Sequence, residues 1–198
     1  NMGWLEPITL KGRFVTLVPL SFEHQEDLVT SVCDGNLWEL WYTFIPTPDK
    51  MQLEIERRLK LQQAGGMLPF TVIDNSTGKA VGMTTYMSVD PINHRLEIGS
   101  TWYRRSVQRS PINTECKLLL LTHAFEALKC IAVEFRTSFM NHQSRKSIER
   151  LGAKLDGVLR NHARHKNGTI RDTCIYSVLF SEWPVVKSHL RYELEKQR

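Results

Sequence analysis

Residues 98 to 129 begin Ile98-Gly99-Ser100-Thr101-Trp102-Tyr103, continue Arg104-Arg105-Ser106-Val107-Gln108-Arg109-Ser110-Pro111-Ile112-Asn113, and then run Thr114-Glu115-Cys116-Lys117 into a leucine-rich stretch closing at Lys129. The first part reads as a strand and the second as a basic polar loop. The third reads as a long helix starting near Asn113 or Thr114. A loop feeding a helix N-terminus gathers backbone N–H groups without intrahelical partners, at the positive end of the helix dipole. Phosphates are the usual guests of such a place. Arg104, Arg105 and Arg109 add positive charge around it. Strand-loop-helix units also occur where no phosphate binds, so the flanking segments decide the reading.

Downstream, Leu118, Leu121, Phe125 and Leu128 form one helical stripe, widened by Leu119, Leu120 and Ala124. So wide an apolar surface implies packing on a sheet. Ile131, Val133 and Phe135 then alternate with Ala132, Glu134 and Arg136, which is strand patterning. Strand, helix, strand implies a parallel pair joined by a right-handed crossover. Met140 to Ser144 is a polar connection, and Ser144 to Leu151 a short helix ended by Gly152. Lys154 to His165 and Thr169 to Phe180 flank Asn167-Gly168, a hairpin signal. Trp183, Val186, Leu190 and Leu194 make a last helical stripe.

Upstream, Arg13 to Leu20 reads as a strand. Ser21 is the expected N-cap of a helix reaching about Val32. Asn36 to Pro48 is a connection rich in aromatic residues: Trp38, Trp41, Tyr42 and Phe44. It suits either a recognition surface or a flap over the core. A second helix begins at Asp49, with Met51, Ile55 and Leu59 as its apolar repeat. Pro69 to Asp74 and Lys79 to Ser88 form an antiparallel hairpin around Asn75-Ser76-Thr77-Gly78. His94 to Tyr103 is the strand that enters the basic loop.

A chain of 198 residues with 41% hydrophobic content suits one globular domain over residues 1–198. Asn1 ahead of Met2 reads as a tag remnant. The net charge of +5 is mild, and the basic residues are spread along the chain. Nucleic acid is therefore not an expected partner. No apolar run approaches ~18 residues, so no membrane span is expected. The four cysteines make no Cys-x-x-Cys pair, which argues against a metal site and for buried thiols in a reducing, cytoplasmic setting.

Several local patterns follow one another in a fixed order. They are Leu96-Glu97-Ile98-Gly99 before the loop, Gln108-Arg109-Ser110-Pro111-Ile112-Asn113 in it, and Thr114-Glu115 opening the helix. Asn141-x-x-Ser144, Glu149-Arg150-Leu151-Gly152-Ala153-Lys154, and Arg171-Asp172 followed by Tyr176 complete the set. With the element order β-α-α-β-β-β-α-β-α-β-β, they resemble the GCN5-related N-acetyltransferase (GNAT) superfamily, in its branch similar to the bacterial ribosomal-protein N-terminal acetyltransferases. The resemblance runs from about Ile8 to Leu190. It implies an α/β (α+β) fold: a mixed, mostly antiparallel central sheet with a splayed parallel strand pair and helices on both faces. The chain departs from the family pattern at Pro111 and Asn113, where Gly, or Gly or Ala, is usual, and at Ile148, where many members carry a tyrosine general acid.

The implied chemistry is acetyl transfer from acetyl-CoA to a primary amine, by direct attack in a ternary complex and without a metal. Main-chain groups of Ser100, Thr101 and Trp102 are expected along the pantetheine arm. Gln108, Arg109, Ser110, Ile112, Asn113 and Thr114 are expected around the pyrophosphate, and Asn141 and Ser144 beside the thiol end. Glu97 is the candidate base. The competing reading makes it an exposed strand glutamate paired with Arg95, and His94 is the rival base. Ser144 is the candidate proton donor to the leaving thiolate, or else the N-cap of its helix. Trp38, Trp41, Tyr42 and His94, with the 162–171 hairpin, are expected to wall the acceptor side. A homodimer is compatible with this reading. The changes at Pro111 and Ile148 also motivate a second function: a non-catalytic acyl-CoA sensor or protein-interaction module.

Overall fold

The structure is a computed structural model that describes residues 3–196; the reading of Asn1 as a tag remnant lies outside them. Eight strands form one sheet: β1 (Leu10–Lys11), β2 (Val15–Pro19), β3 (Leu68–Asp74), β4 (Lys79–Asp90), β5 (Arg95–Tyr103), β6 (Ala132–Ser138), β7 (Lys154–Arg164) and β8 (Ile170–Leu179). Their order is β1-β2-β3-β4-β5-β6-β8-β7. Every neighbouring pair is antiparallel except β5 with β6. That pair needs a crossover, and α3 (Pro111–Thr122) supplies it.

The pleat sorts residues onto two faces. Leu96, Ile98, Val133, Phe135, Tyr176 and Val178 turn to one face. They pack there against Leu120 and Leu121 of α3, Phe125 just beyond it, and Trp183, Val186 and Leu190 of α5 (Trp183–Lys196). On the other face α1 (Gln25–Cys33) and α2 (Met51–Gln63) bring Leu28, Val32, Met51 and Ile55 onto Ala80, Met83 and Trp102. Glu97 alternates with Leu96 and Ile98 and so belongs to this second face. α4 (His142–Leu151) follows β6 and ends at Gly152, whose φ of 109° is the left-handed cap expected there.

Helix starts differ from the sequence reading. α3 begins at Pro111, not at Asn113 or Thr114. Ser110 is its N-cap, with Oγ accepting from the Ile112 N–H at 3.3 Å. Proline suits the first helical position, where its missing N–H is no loss and its φ is already helical. The α-helix stops at Thr122 and loosens into a π-type turn over His123–Ala127, so Lys129 lies beyond it at φ 58°. Ser21 makes no capping bond; a 3-10 turn over Phe22–His24 precedes α1 instead. α4 starts at His142, and Asn141 is its cap in place of Ser144, accepting the Ser144 N–H at 3.1 Å. Cys116, Cys130 and Cys174 are buried as expected, while Cys33, the last residue of α1, is exposed.

Candidate active site

β5 and β6 pair only where Arg95–Glu97 face Ala132–Glu134. Beyond Glu97, β5 runs on to Tyr103 and β6 to Ser138 without pairing to each other, while β5 keeps its bonds to β4. A bulge drives them apart. The register against β4 shifts between Met83 and Thr85, and Ser100 takes a φ of 47°. An extra residue in one strand bends it and sharpens its twist. Arg58 of α2 holds this bulge. Its Nη1 donates to the Ser100 carbonyl at 3.0 Å and to Thr85 Oγ1 at 2.9 Å, and its Nε to Glu54 Oε2 at 2.8 Å. Arg58 is only 3% exposed. Sequence reasoning missed it, because it occupies a charged position between the apolar residues of an amphipathic helix.

Glu97 stands at the vertex of the splay and is 7% exposed. Ser88 Oγ donates to its Oε1 at 2.8 Å. Burial pushes its pKa above the usual glutamate value, against the opposing pull of the Ser88 bond and of Arg136. The pairing with Arg95 does not form. Arg95 and Arg136 instead bracket Glu134, each at 2.9 Å. Gly99 leaves room beside the carboxylate: a Cβ there would lie 2.9 Å from Met87 Sδ and 3.0 Å from Glu97 Oε2.

The loop after β5 is more tightly wired than its sequence suggests. Arg104 Nε and the Ser106 N–H both donate to Asp34 Oδ2, at 2.9 and 3.0 Å, and Arg104 holds that carboxyl below its usual range. Gln108 Nε2 donates to the Tyr103 carbonyl at 2.9 Å. The N–H groups of Val107, Gln108 and Ser110 donate within the loop. The N–H of Arg109, at φ 66°, has no partner among the described residues. The open donors are therefore fewer than the full run from Arg109 to Thr114. They are the Arg109 N–H and the first turn of α3, where Asn113 and Thr114 lie, flanked by the exposed Arg105 and Arg109 side chains. Asn113 Nδ2 also reaches Ser147 Oγ of α4, at 3.3 Å.

Around the splay, Thr101 Oγ1 lies 2.8 Å from Thr84 Oγ1. The Trp102 side chain is buried against α1 and α2, so only its main chain can meet a ligand. Ser144 is half-buried in the first turn of α4, and its Oγ makes no hydrogen bond among the described residues. Ile148 faces the core. A hydroxyl that the sequence reading left out lies nearby: Tyr176 OH donates to Glu149 Oε2 at 2.8 Å and accepts from Arg145 Nε at 3.2 Å.

The aromatic segment and the β7–β8 hairpin come together. Trp41 packs edge-on against His165 with centroids 4.9 Å apart and against Tyr42 at 5.4 Å, and Lys166 Nζ donates to the Trp38 carbonyl. His165 is buried with its Nε2 2.8 Å from Ser138 Oγ, at the end of β6. His94 does not join this group. It precedes β5 at the end still paired with β6, stacks on Trp4 at 5.3 Å, and has Nδ1 3.2 Å from the Lys129 carbonyl. Three residues of strand separate it from Glu97, a rise of about 10 Å.

Residues 15–154 match the family described as "Acetyltransferase (GNAT) domain". The Bacillus subtilis (strain 168) protein named "Putative ribosomal N-acetyltransferase YdaF" is 32% identical over 106 residues, 54% of this chain and 57% of that one. The chain thus matches little more than half the length of that relative. The crystal structure of a GCN5-related N-acetyltransferase from Brucella melitensis superposes with a TM-score of 0.86 at 30% identity, covering 97% of this chain and 87% of the other. The crystal structure of an acetyltransferase from T. thermophilus gives 0.84 at 32% identity, covering 97% and 100%.

Proposed function

The chain belongs to the GNAT acetyltransferase family, and we propose that it transfers an acetyl group from acetyl-CoA to a primary amine, with a protein N-terminal amine as acceptor. One observation carries the proposal. A parallel strand pair opens at Glu97, with a buried carboxylate at its vertex and a helix N-terminus at its mouth. The residues present fit acetyl-CoA. The exposed Arg105 and Arg109, the Arg109 N–H and the first turn of α3 suit a pyrophosphate. The unpaired edge of β5 beyond Glu97 suits the amides of a pantetheine arm. The ribosomal acceptor in the name of the Bacillus relative, and the clasp of Trp38 and Trp41 on the β7–β8 hairpin, favour an extended peptide over a compact drug.

When bound, acetyl-CoA supplies an already activated acetyl thioester, so the protein's work is to position reactants and handle a proton. Glu97 takes the proton of the acceptor ammonium, directly or through one water; its raised pKa makes it a stronger base near neutral pH than an exposed glutamate. A main-chain N–H in the splay polarises the reacting carbonyl. Ser144 Oγ donates toward the departing sulfur. The chain acts as one acetyltransferase domain in the cytoplasm.

Pro111 and Ile148 motivate the non-catalytic reading. Pro111 is the first residue of α3, where it costs no usable donor. Ser144 and Tyr176 offer hydroxyls near the position that Ile148 vacates. The test is initial-rate kinetics with acetyl-CoA and a peptide amine both varied. Intersecting double-reciprocal lines are expected of direct transfer; parallel lines with an acetylated protein would reject it.

A further inference from the structure

We propose that the acceptor carries a carboxylate a few bonds from its reacting amine, and that Arg171 receives it; the proposal rests on the acetyl-transfer reading above. Strand register places the residue. Glu97 is level with Glu134, Arg136 with Ile175, and Ser138 with Thr173. Alternation then puts Glu97, Glu134, Arg136, Ser138, Thr173 and Arg171 on one face of the sheet. α1 and α2 cover this face over β3 and β4. Over β6 and β8 it keeps Glu134, Arg136 and Arg171 half-exposed.

The charges on that face do not cancel. Glu134 is bonded to both Arg95 and Arg136. Arg171 spends only its Nε, on Thr173 Oγ1 at 2.9 Å, and no carboxylate lies within ion-pair distance of it among the described residues. That bond turns its guanidinium back along β8 toward the vertex, where Glu97 and Arg136 are the charges it feels most. Three arginines thus share two carboxylates, and one of the two, Glu97, is needed to take a proton. A guanidinium with both terminal nitrogens unspent matches a carboxylate in a two-bond fork. An acceptor bringing only its ammonium would meet uncompensated positive charge. One bringing a carboxylate as well offsets that charge while its amine faces Glu97. Two sources share this chemistry: an acidic side chain near a protein N-terminus, and the α-carboxylate of a free amino acid.

Matched acceptors decide it. Peptides beginning with Asp or Glu are compared with their Asn or Gln counterparts, and free amino acids with their amides. CoA release gives kcat and KM separately, and calorimetry on CoA-saturated protein gives Kd. The carboxylate members are expected to show KM and Kd at least tenfold lower. Arg171→Gln is expected to erase that difference and Arg171→Lys to restore part of it, with melting curves confirming that both variants fold. Preference among peptides identifies the acidic N-terminus as the source; preference confined to free amino acids identifies the α-carboxylate. Equal or tighter binding of the neutral members, or a preference surviving in Arg171→Gln, overturns the proposal. Absence of CoA release with every amine would instead reject acetyl transfer, and the Kd comparison would still judge Arg171.

Discussion

The guanidinium of Arg58 lies 3.0 Å from the main-chain oxygen of Ser100, and through that contact α2 grips the bulge at which β5 leaves β6. Three elements meet at this buried cation: α2 through Glu54, β4 through Thr85 and β5 through Ser100.

Arg58→Met should therefore harm both stability and rate. Removing one partner of a buried ion pair costs roughly 3 kcal/mol, read by urea unfolding. A bulge displaced by about 1 Å costs up to ~100-fold in rate, read as kcat at saturating acetyl-CoA. Lost stability with kcat intact would make Arg58 a prop of the sheet and nothing more.

Glu97→Gln should lower kcat by about 10²–10⁴-fold while leaving the protein able to bind acetyl-CoA. Burial disfavours the ionised carboxylate, so the active base accumulates only at a pH above that of an exposed glutamate. The wild-type rate should climb with pH through that raised value, and the variant should lose the limb. Gly99→Ala tests the same group by sterics, since its new methyl must push the carboxylate aside. A kcat unchanged by both substitutions would assign the proton to another residue.

Lys117 offers a test of stability alone. It is 8% exposed on α3, and burial pulls its pKa down to about 8. Below that pH the native state carries a buried charge. Between about 8 and the ordinary value of 10.5 the unfolded chain holds a proton that the native state has released, so stability should rise with pH across this window. Lys117→Met should flatten that rise and add up to about 3 kcal/mol at pH 7. Equal slopes for the two proteins in urea unfolding from pH 7 to 10.5 would show that the lysine reaches water.

Much of the fold can be read from periodicity. Trp183, Val186, Leu190 and Leu194 read as one stripe, and all four are buried. The strand-helix-strand order around α3 implies a parallel pair, and β5–β6 is that pair. Other features depend on contacts that no local pattern reports. Asp34 neutralises Arg104 from 70 residues away, which removes one of three expected phosphate cations. A charged residue between apolar helix positions looks the same whether solvated or, like Arg58, buried. His94 stands close to Glu97 in sequence, but the rise of a strand carries it to the other end of β5. Ser144 and Asn141 are both good caps, and the one with the longer reach from outside the helix took the role.

The central claim is that a strand pair opened at Glu97 brings an acetyl thioester and an N-terminal amine together. Mass spectrometry of a free-N-terminus peptide incubated with acetyl-CoA and the protein tests it most directly. The account predicts one acetyl group on the peptide α-amine per CoA released, and loss of both products in Glu97→Gln. Acetyl-CoA binding without an acetylated amine, across peptides and small amines alike, would contradict it.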